Sequence, residues 1–133
     1  MQTKTALVIA SLVAVAGVFV AGRGEAGVKI TETVTIDAAH KSFWGNMGSV
    51  RASADNVQNI GCQLTANTVA ISANCFAKDA AGVSVSCSST SPTIIQAVGS
   101  IGSGSTIVVG HDGAGTCTSI QAQNFSYFST KVP

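Results

Sequence analysis

Charge is scarce in this chain. Charged residues make up 10% of the sequence, and beyond residue 26 five basic side chains balance five acidic ones. No basic patch or stripe is present to neutralise phosphates, and no polybasic segment could hold an anionic membrane surface. These absences argue against nucleic acids and membrane surfaces as partners. Because copies of so neutral a chain repel one another little, self-association is physically permitted.

The motifs of enzymes and metal sites are also missing. No Cys-x-x-Cys pair occurs and both histidines lie far from the cysteines, which argues against zinc. The turns that contain Asp79 and Asp112 lack the succession of oxygen ligands that calcium needs. The adjacent His111 and Asp112 point to opposite faces of a strand, and His40 is interpreted as an exposed loop histidine. We therefore predict no enzyme activity, no metal and no cofactor.

The N-terminal residues have the composition of an export signal. Lys4 supplies a small positive region, and a nearly uninterrupted apolar run covers residues 6–20. The run is short for a transmembrane helix, which needs about 20 apolar residues. We expect a signal peptide at 1–26 and a secreted domain at 27–133, with the mature chain beginning between residues 22 and 27. An uncleaved membrane anchor is the alternative.

A β-hairpin over residues 69–88 is the clearest local element. Its turn, Asp-Ala-Ala-Gly at 79–82, places Asp where its side chain bonds the backbone and Gly where a left-handed residue is needed, as in a type I turn with a glycine bulge. Alternation along the arms puts Cys75 and Cys87 on the same core-facing side, roughly opposite each other. The Asp-Gly-Ala-Gly run at 112–115 predicts a second hairpin.

Four cysteines in an exported domain predict two disulfides, because the destination is oxidising. They are Cys62, Cys75, Cys87 and Cys117. Three pairings are possible, and the hairpin geometry favours Cys75 with Cys87. Cys62 would then pair with Cys117 and close a long loop. Cys117 is out of phase with Ile120 on its own arm, so a bulge or strand end near Thr118 must turn it inward.

The most regular period-2 pattern covers residues 27–37. Its apolar side carries Val28, Ile30, Val34 and Ile36. Glu32 falls on the same side, and since a carboxylate in a buried row is costly unless paired, we predict that this strand lies at a sheet edge. Residues 38–48 break the alternation and are expected to form a loop. The adjacent isoleucines in 93–98 predict a strand that is covered on both sides.

Beyond the signal no window shows sustained helical periodicity, and turns recur at intervals of about ten residues. This pattern predicts seven to nine short strands. The predicted fold is all-β: a single disulfide-stabilised antiparallel β-sandwich, either Ig-like or closed into a squat barrel.

Four runs of sequence carry a resemblance. They are SADNVQNIGC at 53–62, CFAKDAAG at 75–82 leading to Cys87, GTCTSI at 115–120, and the close at 124–127. Together they resemble a set of short exported bacterial proteins of no assigned activity. The resemblance implies bacterial export and a β-rich fold, and it supplies no catalytic residues.

Two functions fit these patterns. The first is a non-catalytic extracellular structural protein, a self-associating subunit of a filament, coat or matrix whose strand 27–37 pairs with a neighbouring subunit. The alternative is a secreted module that binds carbohydrate or another cell-surface polymer through an aromatic surface. The candidate aromatic residues are Phe43, Trp44, Tyr127 and Phe128. The ordinary interpretation is that these aromatic residues cover one end of the core, and a contact with another subunit is a further alternative. An inhibitor that presents the loop 99–105 is a third class.

Overall fold

Two antiparallel sheets form the framework of residues 30–128, the part of the chain that the computed structural model describes. The elements are β1 (Thr35–Asp37), β2 (Ser42–Asn46), α1 (Met47–Arg51), β3 (Asn59–Ala66), β4 (Ile71–Lys78), β5 (Ser84–Ser89), α2 (Pro92–Gly99), β6 (Thr106–His111), β7 (Cys117–Gln123) and a 3₁₀ turn (Ser126–Phe128). One sheet has the strand order β1-β2-β6-β7 and the other β3-β4-β5. The predicted disulfide-stabilised antiparallel sandwich is confirmed. The predicted signal peptide and Val28 lie outside the described residues.

The core lies between the inner faces of the two sheets. Phe43, Ile107 and Val109 come from the four-stranded sheet and are fully buried, and Phe43 stands opposite Val109 in the β2–β6 pair. The three-stranded sheet contributes small residues, including Ala73 and Cys75 on β4. This division follows from alternation, because every second residue of a strand points to the same face. Small side chains on one sheet leave room for the larger ones on the other.

Both predicted hairpin turns are confirmed. In the first turn Gly82 has a φ of +85° and its N–H donates to the carbonyl oxygen of Asp79 at 3.0 Å. The Asp79 carboxylate accepts from the N–H of Val83 at 2.9 Å. In the second turn the Asp112 carboxylate accepts two backbone N–H groups of the β6–β7 connection. The residue types at these turns therefore predicted their hydrogen bonds correctly.

A bulge in β7 turns Cys117 inward. Gly110 is opposite Ser119 and His111 is opposite Cys117, so Thr118 is the extra residue between two ladder positions. Cys117 is buried. The bulge predicted near Thr118 is confirmed, although the cysteine that Cys117 meets is not the predicted one.

The prediction of no helices was wrong. Residues 93–98 belong to α2, in which Pro92 occupies the first turn and Ile94 and Val98 are buried on one face. A spacing of four is typical of a helix, but the adjacent Ile94 and Ile95 made the segment resemble a strand that is covered on both sides. Asn46 caps α1, since its side-chain oxygen accepts from the N–H of Ser49 at 2.8 Å. Neither helix of the described region approaches the length or the apolar composition that crossing a membrane requires.

The loop predicted at 38–48 contains a central strand. β2 lies between β1 and β6 and supplies Phe43 to the core. Two consecutive aromatic residues, Phe43 and Trp44, obscured the alternation, because only one of them can point inward. The turn that leads into β2 includes Lys41, a non-glycine residue with a positive φ of 51°.

Candidate functional site

The disulfide pairing differs from the predicted one. Cys62 is bonded to Cys75, and Cys87 is bonded to Cys117. The predicted bridges, Cys75 with Cys87 and Cys62 with Cys117, were therefore wrong. The predicted hairpin register is confirmed, since Cys75 does stand opposite Cys87. Cys75 lies on the central strand, however, and it stands opposite Cys62 as well.

The hydrogen-bonding pattern of the sheet decides which neighbour Cys75 bonds. Opposed residues in antiparallel strands alternate between non-hydrogen-bonded pairs, with Cα atoms about 4.5 Å apart, and hydrogen-bonded pairs about 5.5 Å apart. The Cα atoms of Cys62 and Cys75 are 4.0 Å apart, so these two form a non-hydrogen-bonded pair. The peptide groups of Cys75 consequently point toward β5, and Cys87 occupies the wider kind of pair. Cys62 is the closer partner, which leaves Cys87 for Cys117.

The second disulfide closes one corner of the sandwich. Cys87 is on the three-stranded sheet and Cys117 begins β7 of the other sheet. Beside them the N–H of Ser88 donates to the carbonyl oxygen of Gly115 at 2.8 Å, and Ser88 forms an isolated parallel bridge with Thr116. The end of β5 is thereby tied to the neighbouring sheet.

Residues 30–37 pack against their own domain. β1 pairs with β2, with Ile36 opposite Phe43, and it lies at an edge of its sheet. Val34 is buried, and its N–H donates to the side-chain oxygen of Gln58 at 2.9 Å. The N–H of Ile30 donates to the carbonyl oxygen of Tyr127. Residues 35–37 therefore pair with β2 of the same chain.

A buried polar cluster explains the carboxylate in this segment. Glu32 accepts a hydrogen bond from the Thr106 hydroxyl at 3.2 Å. The Asn46 amide, fully buried, donates to the same hydroxyl at 3.1 Å and to the carbonyl oxygen of Gly104 at 2.8 Å. Glu32 thus has the partner that its position required, and the cluster attaches the N-terminal segment to β2 and β6.

The four predicted aromatic residues do not form one surface. Phe43 and Trp44 are consecutive on β2, so Phe43 is fully buried in the core while Trp44 is half-buried on the opposite face. Trp44 stands between Thr35 and Val108 of the neighbouring strands. Tyr127 stacks on Phe125 with ring centroids 5.1 Å apart. The predicted surface was therefore wrong in including Phe43. The side chain of Phe128 lies outside the described residues.

The aspartates of the described region cap turns. Asp55 accepts hydrogen bonds from the backbone N–H of Gln58 at 2.7 Å and from its side chain, and these hold the pKa of the Asp55 carboxyl well below its ordinary value of 3.8. The N–H of Thr116 at 3.0 Å likewise lowers the pKa of Asp112. Both effects arise because hydrogen bonds to the ionised carboxylate stabilise it.

His40, interpreted from the sequence as an exposed loop histidine, belongs to such a turn. The Asp37 carboxylate accepts from the backbone N–H of His40 at 3.0 Å and lies 2.6 Å from its ring Nδ1, and these two contacts lower the pKa of Asp37. The two side chains are exposed, and the residues are three positions apart in the sequence. Within residues 30–128 no three His, Cys, Asp or Glu side chains come together in a group that could bind a metal ion.

The outer half of the β3–β4 hairpin extends beyond the core. Every residue from 63 to 71 is exposed, including Leu64 at 44%, Ile71 at 47% and Val69 at 91%. Edge strands are usually protected by charged residues, proline or bulges. β3 lies at the edge of its sheet and has none of these, since its register with β4 is continuous and residues 56–77 contain neither charge nor proline.

The register also identifies the backbone groups on this open edge. Because Cys62 forms a non-hydrogen-bonded pair with Cys75, its N–H and carbonyl groups point away from β4. By alternation the same holds for Leu64 and Ala66. Within the described residues, the backbone of these three residues makes no hydrogen bond to any other segment. The edge of β3 therefore presents a row of unpaired donors and acceptors.

The outer face of the three-stranded sheet carries a second candidate surface. Phe76 on β4 stands opposite Gly61 and Ser86 and is 41% exposed. Its ring lies over Gly61, where an added Cβ would be 3.5 Å from the ring. Two shallow depressions of about 270 and 250 Å³ flank the ring. The sequence contained the signal for this residue, because Phe76 has the same parity as the outward-pointing Asn74.

Comparison with protein-family models, with curated proteins and with solved structures gives no match to this chain. The open edge of β3 and the face around Phe76 are therefore the features from which a function is inferred.

Proposed function

We propose that this protein is a non-catalytic extracellular structural subunit that associates with a second copy of itself through the edge of β3. The observation that supports this is an eight-residue edge strand without charge, proline or bulge, much of which is exposed. Export is supported by the signal-like N-terminus and by two disulfides, which persist in oxidising compartments. The β3 edge takes the role first assigned to residues 27–37, because residues 30–37 pack within the chain.

A second copy is the partner that this edge fits best. Two β3 strands related by a two-fold axis run antiparallel, so each supplies the donors and acceptors that the other lacks. Such pairing joins two three-stranded sheets into one sheet of six. The uncharged edge offers nothing to attract a charged partner and nothing to repel its own copy. A two-fold contact closes on itself, so the dimer is the building block of any larger assembly.

Side chains beside the edge add a hydrophobic contribution. Leu64 and Ile71 lie on the core-facing side of the hairpin, beyond the part that the other sheet covers, and both are nearly half exposed. Fully burying a leucine side chain stabilises by about 1.5–3 kcal/mol, so covering the exposed part of Leu64 contributes about 1 kcal/mol per copy. Main-chain hydrogen bonds would fix the antiparallel arrangement of the two β3 strands, and burial of the apolar side chains would add to the stability of the dimer.

Sedimentation equilibrium of the mature chain over a range of concentrations tests the proposal. The chain is expected to dimerise, and Leu64→Lys is expected to remain monomeric because it brings like charges together across the paired edges. Val83→Lys is the matched control, since Val83 is 53% exposed and lies outside β3. A wild-type chain that stays monomeric at high concentration, or a Leu64→Lys variant that dimerises equally well, contradicts the proposal.

A second pair of variants separates the backbone from the side chain. Leu64→Pro removes an N–H that points away from β4, a position where edge strands tolerate proline. Leu64→Ala keeps that N–H and removes only apolar surface. If strand pairing holds the dimer, Leu64→Pro weakens association more than Leu64→Ala does. Circular dichroism and intact disulfides establish that both variants remain folded, and equal association constants would argue against an edge-to-edge contact.

A further inference from the structure

The outer face of the three-stranded sheet has the composition of a sugar-binding surface. We propose that it binds an extended, neutral glycan, with Phe76 as the platform on which one sugar ring stacks. The Phe76 ring is half exposed and lies over Gly61, the residue opposite it on β3. Gly61 has no side chain to compete with the ring, and the C–H face of a sugar ring can stack on the exposed part of such an aromatic group.

Polar groups surround the ring on both sides. The uncharged polar residues that line the two flanking depressions are Asn59, Ser84, Ser86, Asn74 and Ser88. None of these five side chains makes a hydrogen bond to another of the described residues. Their donors and acceptors are therefore available to a ligand. A few positioned polar groups around an apolar contact are typical of sites that bind small or chain-like ligands.

The shape of the surface favours a chain over a single sugar. The depressions on either side of Phe76 share Ser86, and a third depression of about 600 Å³ shares Ser88 with the second. The third is lined mainly by serine and threonine residues, which include Ser72 and Thr116. From Ser84 to Ser88 alone the strand rises about 14 Å, so the three depressions form an elongated trough along β5.

The charge of the trough points to a neutral ligand. Lys78 is the one charged residue that lines any of these three depressions, and no carboxylate lines them. A polyanionic chain needs several cations spaced along it, which this surface lacks. A nucleic acid is disfavoured for the same reason. A neutral chain of hydroxylated rings uses both the aromatic contact and the row of serine hydroxyls.

Affinity electrophoresis of the mature chain tests this inference, with gels that contain soluble β-glucan, xylan or mannan as neutral probes and alginate as an anionic one. At least one neutral polymer is expected to retard the protein. Phe76→Ala should weaken that binding about tenfold, while Phe76→Trp should retain it. Phe125→Ala is the matched control, because Phe125 is also half exposed but lies outside the trough. Ligand should also shift the fluorescence of Phe76→Trp.

Several outcomes overturn the inference. They are retardation by none of the neutral polymers, equal retardation of Phe76→Ala, or retardation by alginate alone, which would assign the contact to Lys78. If Phe76→Ala instead abolished dimerisation and left glycan binding unchanged, the face would be a contact between copies. Leu64→Lys is expected to bind the glycan normally, so failure of this inference and failure of the proposed association are distinguishable.

Discussion

Removal of the two disulfides, one at a time, should affect stability unequally. The variants are the double substitutions Cys87→Ala with Cys117→Ala, and Cys62→Ala with Cys75→Ala. The bonded cysteines are separated by 30 residues in the first case and by 13 in the second. On the chain-entropy model these loops correspond to about 3.7 and about 3.0 kcal/mol. The longer loop is therefore expected to contribute about 0.7 kcal/mol more to the free energy of unfolding.

The surroundings of the two disulfides should make their contributions to the free energy of unfolding differ further. Cys62 and Cys75 are opposed in a hairpin whose strands already pair over eight positions, so the β3–β4 ladder holds them together without the bond. Cys87 and Cys117 lie in different sheets, and beside them Ser88 makes one main-chain hydrogen bond and one isolated bridge to the segment that precedes β7. Losing the inter-sheet bond should also loosen this corner of the sandwich.

Urea unfolding of each variant at 25 °C and pH 7, followed by circular dichroism, measures the effect. Because small domains are stable by only about 5–15 kcal/mol, both losses should be readily measured. The expected result is a larger decrease for the Cys87 and Cys117 variant. Equal decreases, or the reverse order, would contradict a larger contribution of the Cys87–Cys117 bond to stability. Non-reducing peptide mapping provides the control, and a peptide that links Cys75 to Cys87 would contradict the pairing itself.

Three further perturbations have defined expectations. The pKa values of Asp37, Asp55 and Asp112 are lowered in the folded state, so the stability they contribute is present above their ordinary value of 3.8 and is lost as the pH falls below it. The thermal midpoint of unfolding should therefore be level near neutral pH and decrease below about pH 4, and the decrease should be smaller in Asp55→Asn. A midpoint that is unchanged down to about pH 2 would contradict this expectation. Asn46→Ala removes three hydrogen bonds of a buried amide and should cost about 2 kcal/mol in urea unfolding, whereas a loss below the error of the measurement would exclude a structural role for the cluster. Gly82→Ala places a side chain at a φ of +85° and should lower the free energy of unfolding by about 1 kcal/mol. The control Gly99→Ala has open space around the new methyl group at the end of α2 and should be neutral or stabilising. Equal effects of the two substitutions would argue against the turn assignment.

Local signals in the sequence predicted the hairpins, whereas contacts between distant segments, such as the disulfides, could not be predicted from it. The turns at 79–82 and 112–115 depend on Asp and Gly at fixed positions, so their hydrogen bonds could be anticipated. The partner of Cys75 depends on the register of β3, which no nearby residue reveals. Two cysteines stand opposite Cys75, and only the hydrogen-bonding pattern of the assembled sheet distinguishes them.

The helices and the surface residues were missed for different reasons. α2 carried two helix signals, Pro92 in the first turn and the spacing of Ile94 and Val98, but the neighbouring Ile95 made the segment resemble a covered strand. Phe76 could have been found from parity alone, because it is an aromatic residue in the polar phase of β4. The exposure of Leu64 could not be predicted from parity, because the sequence does not show where the opposite sheet ends.

Hydrogen exchange measured at increasing protein concentration tests the proposed association through β3 most directly. In the monomer the amides of Cys62, Leu64 and Ala66 point away from β4 and should exchange rapidly, whereas those of Gln63 and Thr65 are held in the β3–β4 ladder. If β3 pairs with a second copy, the first three amides become protected as the concentration rises, while the other two are protected throughout. Fast exchange of Cys62, Leu64 and Ala66 at every concentration would contradict it.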